Sequence, residues 1–199
     1  MDGNVKQREK RNRATPNGIR ALTREEALMA RLFVSFVHED EKLASAVQDL
    51  LQTELNLHEE VFLSSDKSQI YAGDLWLQKI KEALSAAEIV ILMLSQRSVA
   101  RPWVNFEAGA AWLADKTVIP VCFGNLSKDA LPHPYSGIQA LNLPSEAYYL
   151  MKSVNHQLNL DKPMSPDAVY RGTLFERGAG IKDGAYERLA NALAEFKDD

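Results

Sequence analysis

Cysteine is nearly absent: the 199-residue chain has one, Cys122. A single thiol excludes an intramolecular disulfide and any multi-cysteine metal cluster. Cys122 lies inside the apolar run Thr117–Phe123, where a buried, inert thiol is expected rather than a nucleophile. The four histidines, His38, His58, His133 and His156, are scattered without ligand spacing, so no metal site is expected. No apolar run is long enough to span a bilayer, so no membrane partner is expected. The basic residues near the N-terminus are followed by no apolar stretch, so no signal peptide is read there and a cytoplasmic location is expected. A formal net charge of -4 argues against general affinity for nucleic acid.

Several catalytic signatures are missing as well. No glycine-rich loop is followed by Lys-Ser/Thr, which removes the phosphate-binding loop of nucleotidases. No G-x-G-x-x-G follows the first strand, and no G-x-S-x-G marks a hydrolase elbow. A phosphoacceptor receiver domain would place an aspartate at the end of the third strand, where Leu94-Ser95 stands.

What is present is a globular composition, 46% hydrophobic and 25% charged, sufficient for one well-filled domain. Residues 1–17 form a polar arm carrying Lys6, Arg8, Lys10, Arg11 and Arg13, and residues 19–30 are weakly helical. Strands are predicted at Arg31–Phe36, Glu59–Ser64, Ile89–Leu94 and Thr117–Phe123, with a short fifth at Gln139–Leu143. Pro120 lacks a ladder donor and so favours an edge or bulged position. Leu43, Val47, Leu50, Leu51 and Leu55 recur at helical spacing and predict a helix over Glu39–Leu55. Asp74 is a good N-cap for the helix carrying Leu77, Ile80, Leu84 and Ala87. Pro102 suits the first turn of a helix running through Trp103, Phe106, Ala110 and Leu113. Two further helices are read around Glu146–Leu158 and Asp183–Phe196, joined by an irregular stretch.

Strand and helix thus alternate four times with short connections, the pattern of a parallel sheet covered by helices on both faces. In such sheets ligands bind beyond the carboxyl ends of the strands, where the loops after Phe36, Ser64 and Leu94 converge. The chain divides into a basic arm with a short helix at 1–30, an α/β domain at 31–143, and a helical extension at 144–199 packed on it.

The segments RLFVSF (31–36), VFLSSDKSQIYAGDLW (61–76), EIVILMLS (88–95) and WVNFEAGAAW (103–112) resemble, in order and separation, successive blocks of a bacterial TIR domain. The resemblance implies a flavodoxin-like sheet of about five parallel strands. The W-x-x-x-E element, Trp103 to Glu107, is its most discriminating part, because it is similar to the motif of NAD-cleaving TIR proteins.

Residues four apart share a helical face, so Trp103 and Glu107 can line one wall of a cleft. Breaking the N-glycosidic bond of NAD develops positive charge on the ribose, which a carboxylate can stabilise. An indole face can stack on a flat heterocycle or exclude water. By family analogy Glu107 is the catalytic carboxylate and Trp103 contacts NAD. Each has a plainer reading, Glu107 as a solvent-facing helix residue and Trp103 as a core aromatic. Gly109 is expected to permit close helix–sheet packing.

The resemblance also places Phe36, His38, Ser65 and Asp66 against NAD. Phe36 stands where a tyrosine is commoner, His38 reads equally as a helix cap, and Ser65-Asp66 as an ordinary turn. Trp76 is expected to be a packing residue.

The implied function is an NAD glycohydrolase or cyclase that releases nicotinamide and leaves ADP-ribose or a cyclic isomer, in bacterial defence or signalling. NAD would be a consumed substrate rather than a cofactor, self-association through the loop Ser65–Gly73 would be required, and a separate effector or sensor protein would act with it. A non-enzymatic TIR adaptor and a nucleoside-processing transferase are the competing readings.

Overall fold

A computed structural model describes residues 30–57, 60–66, 76–160 and 184–198, except the side chains of Ser65, Asp66 and Trp76. The N-terminal arm, the weak helix before Ala30, most of the loop Ser65–Gly73, the cap Asp74 and the irregular stretch 161–183 lie outside the described residues.

Five strands, β1 (Leu32–Val37), β2 (Val61–Asp66), β3 (Ile89–Leu94), β4 (Thr117–Cys122) and β5 (Leu141–Asn142), form one sheet in the order β2-β1-β3-β4-β5. Every neighbouring pair is parallel. This is the flavodoxin-like arrangement implied by the sequence resemblance. Its core strands, LFVSFV and IVILML, are buried throughout, as a strand covered on both faces requires.

The period of two along each strand sorts the core into two layers. Leu32, Val34, Phe36, Ile89, Ile91 and Met93 face α1 (Glu41–Leu55), α4 (Ala147–Gln157) and α5 (Gly184–Glu195). Phe33, Val37, Val90, Leu92 and Leu94 face α2 (Trp76–Ala86) and α3 (Pro102–Leu113). Helix α1 buries Leu43, Val47, Leu50 and Leu51, the residues whose spacing predicts it, and ends at Asn56 in the left-handed region. Helix α5 lies on α1, where ion pairs join Arg188 to Asp49 and Lys42 to Glu195, and its Tyr186 hydroxyl donates to Met151 Sδ on α4.

Three expectations shift. A 3-10 turn at His38–Asp40 precedes α1, so the helix begins at Glu41 rather than Glu39. Strand β2 runs on to Asp66 because Ser65 and Asp66 pair with Phe36 and Val37; ladder bonding outweighs their turn propensity. Pro120 is not on an edge strand, since β4 lies between β3 and β5. However, β5 joins β4 only at Val121 and Cys122, so the stretch carrying Pro120 has a strand on one side alone.

Candidate active site

Helix α3, sequence PWVNFEAGAAWL, has only two polar side chains. Its inner face is Val104, Ala108 and Ala111, whose small volume lets the helix lie close on the sheet. Phe106 and Leu113, which mark the helix in the sequence, instead face outward at 54% and 91% exposure. Proline at the first helical position fixes the start, and Trp103 and Glu107 follow one turn apart.

Glu107 is 0% exposed, which removes the solvent-facing reading. A carboxylate is tolerated in such a place only if donors replace its water. Two do so at Oε1: the Ser64 hydroxyl donates at 2.6 Å and the Trp103 indole N–H at 2.8 Å. Both distances are in the range of charge-assisted bonds. Ser64 comes from β2, two residues after Phe62 and on the same face. Its register partner on β1, Ser35, is also buried, and the Ser35 hydroxyl has no hydrogen-bond partner among the described residues. A helix residue and a strand residue separated by 43 positions are thus joined over a polar floor.

Trp103 is half-buried. Its ring packs on the α2/α3 side of the core and lies 5.5 Å from that of Phe106. Trp103 thus packs as the core-aromatic reading expects, and its indole N–H also donates to Glu107.

Of the remaining expected NAD contacts, Phe36 is 1% exposed and belongs to the core on the opposite face of the sheet. The alternation along β1 turns it away from Glu107, so the structure separates the two. His38 is exposed in the turn after β1, with Nδ1 3.1 Å from Glu41 Oε2, a contact with the first residue of α1 rather than with Glu107. Ser65 and Asp66 are backbone continuations of β2 beyond Ser64, not the opening of a loop.

Sequence reasoning missed Ser64, although its alternation with Phe62 could have aimed it at α3. It also missed a second buried polar group at the carboxyl ends of β1 and β3. The Asp40 side chain is wholly buried, and Arg97 donates to its Oδ1 from Nε at 3.1 Å and Nη2 at 2.8 Å. Burial pushes the Asp40 carboxyl above its usual range, and the bonds and charge of Arg97 pull it only partly back. Beside it, Arg101 pairs with Glu39 at 3.1 Å, so the turn after β1 is tied twice to the loop that leads into α3. Nothing in the sequence distinguishes Asp40 from its acidic neighbours.

A separate cleft of about 360 Å³ lies on the other side of α3. Asn105, Gly109 and Trp112 line it from the helix, facing His133, Tyr135 and Ile138. A Cβ added to Gly109 would meet nothing within 4 Å, so this glycine does not serve close helix–sheet packing; it borders open space. Cys122 is buried, and its thiol is pushed up to about 11 by burial, too high for a nucleophile at neutral pH. Among the described residues no three His, Cys, Asp or Glu side chains are grouped to hold a metal ion. No helix among them is long and apolar enough to cross a membrane.

A family model for the TIR domain matches residues 32–153. No curated protein matches the chain. Similar solved structures include a metazoan TIR-STING receptor from C. gigas in complex with 2',3'-cGAMP, 18% identical with a TM-score of 0.48 over 67% of this chain. The chain spans 40% of that receptor's length. A putative pilus assembly-related protein from Burkholderia pseudomallei is 14% identical, with a TM-score of 0.38 over 70% of this chain and 96% of the other. The TIR domains of the activated Roq1 resistosome, which recognises the pathogen effector XopQ, are 12% identical, with a TM-score of 0.39 over 83% of this chain and 99% of the other.

Proposed function

This chain belongs to the TIR-domain family, and from that premise we propose that it cleaves the nicotinamide–ribose bond of NAD, with Glu107 as the catalytic carboxylate. The observation that carries the reading is the buried Glu107 carboxylate, held at Oε1 by Ser64 and Trp103. A carboxylate fixed by donors in a water-poor site keeps its orientation through the reaction and interacts strongly with developing charge. As the C–N bond breaks, its electron pair leaves with neutral nicotinamide and the ribose gains oxocarbenium character, which Glu107 stabilises. Water then attacks the anomeric carbon to give ADP-ribose, or an atom of the same molecule does so to give a cyclic isomer.

In this arrangement the carboxylate has no exposed surface, so substrate reaches it only after a local movement of the groups around it, among them the half-buried Trp103 indole that donates to it. The same indole is the flat surface on which a nicotinamide ring can stack. Self-association through the segment after β2, and a separate effector or sensor protein responding to the product, complete the reading; both come from the family resemblance.

One observation favours the competing reading, a TIR adaptor that acts by association alone: complete burial of Glu107 is also what a purely structural carboxylate would show. Product analysis separates them. Purified chain is incubated with NAD across a dilution series, and nicotinamide, ADP-ribose and cyclic products are resolved. The proposal expects nicotinamide in equal amount to ADP-ribose or its cyclic isomer, at a rate per molecule that rises with protein concentration. Intact NAD at every concentration would support the adaptor.

A further inference from the structure

The loop of residues 95–101 joins β3 to α3 and ends one residue before the helix that carries Trp103 and Glu107. Its shape is set by short-range bonds: Val99 N donates to Ser95 O, Arg101 N to Ser98 O, and the Ser98 hydroxyl lies within bonding distance of Met93 O. Arg97 projects from this loop with its fork on buried Asp40. The face of the same guanidinium lies 4.8 Å from the ring of Phe196, which follows the last helix.

The segment that carries Phe196 is itself seated at three points. Its ring meets Phe123 edge-on at 4.9 Å. Two residues later the Asp198 carboxylate accepts from Asn125 N at 3.0 Å. Between these contacts Gly124 has a φ of +65°, and a Cβ there would come within 2.5 Å of the Phe196 ring. Only glycine suits that backbone and that approach. The segment after α5 therefore fits a shaped seat at the carboxyl edge of the sheet.

We propose that Arg97 is a positioning residue for the candidate site, and that Phe196 holds it there, so that the C-terminal segment sets the geometry of the loop presenting Trp103 and Glu107. The Arg97 side chain is 21% exposed, so without Phe196 over its face it can swing into water. Asp40 would then be a buried carboxylate stripped of its cation, an arrangement so unfavourable that the loop must rearrange to relieve it. Because the loop runs directly into Pro102 and Trp103, the rearrangement reaches the indole that donates to Glu107.

The positioning claim stands on geometry alone; only its activity readout rests on the NAD-cleaving reading. The test compares Phe196→Ala with Phe196→Tyr, which keeps the ring, in the full chain by NMR hydrogen exchange. In Phe196→Ala the amides of Val99 and Arg101 and the Trp103 indole N–H should exchange about tenfold faster, while Phe196→Tyr stays near wild type and amides at the centre of α1 are unchanged in both. NAD turnover should follow, with kcat down about tenfold and KM within about twofold in Phe196→Ala alone. Faster exchange confined to α5 would mean that Phe196 only anchors its own helix and would overturn the proposal. So would faster loop exchange with an unchanged Trp103 N–H. A wild type with no NAD turnover removes the proposed function and leaves the exchange results to decide this one.

Discussion

A carboxylate with no solvent contact needs its donors, and at Glu107 the two at Oε1 come from opposite directions, Ser64 on the sheet and Trp103 on the helix. Removing one tests whether they hold it for chemistry. Trp103→Phe keeps most of the apolar surface but deletes the indole N–H, at a cost of about 1.5–3 kcal/mol for a bond to a charged group. Turnover should fall about tenfold or more, by product assay, with a drop in melting temperature of several degrees. Unchanged turnover would make the indole mere packing. The resemblance to NAD-cleaving TIR proteins singled out Trp103 and Glu107, and their i,i+4 spacing puts them on one helical face, whereas alternation shows only that Ser64 shares the face of Phe62, and its approach to Glu107 requires the fold. Gly109 was misread: it borders open space, so nothing resists a methyl group there. Gly109→Ala should raise stability by about 0.5–1 kcal/mol in urea denaturation through helix propensity alone. A destabilised variant would show a contact that the described residues do not include.

Among the elements, the strongly patterned ones were read closely. Strand β3 matches its apolar run, and α3 begins at the proline that marks it. The end of β2 was not legible, because Ser65 and Asp66 belong to the strand only through pairing with β1. Nor was the join between the turn after β1 and the loop before α3, since Asp40 and Arg97 lie 57 residues apart and nothing local couples them. That join has a pH signature. The Asp40 carboxyl is raised above 3.8 by burial, so the folded chain keeps a proton that the unfolded chain has already released. Stability from this group is therefore greatest at acid pH and is lost as pH rises through the raised value. Asp40→Asn cannot titrate. The stability difference, wild type minus Asp40→Asn, should be largest below pH 3.8 and shrink as pH rises above it, measured as urea midpoints. A difference that grows with pH would mean that Arg97 outweighs burial at this site.

On the scale of the whole molecule, alternation of strand and helix was enough to predict a parallel sheet, and the TIR match over residues 32–153 places the chain in its family. The same sheet explains why Phe36 and Glu107, which the resemblance placed at one site, lie apart. Its two faces carry separate cores, and Phe36 faces one while Glu107 faces the other. Alternation within β1 would have shown this once the side of α3 was known, which requires the fold. The polar group that the structure does assemble, Ser64, Trp103 and Glu107, is where the functional claim is decided. Glu107→Gln is nearly isosteric and keeps an acceptor for Ser64 and Trp103, so the variant should fold with a melting temperature close to wild type. The decisive measurement is nicotinamide release from NAD by purified Glu107→Gln beside wild type, at equal concentration of folded protein. The account predicts a loss of roughly two orders of magnitude or more, the scale of removing a key electrostatic group; wild-type release by the folded variant would contradict it.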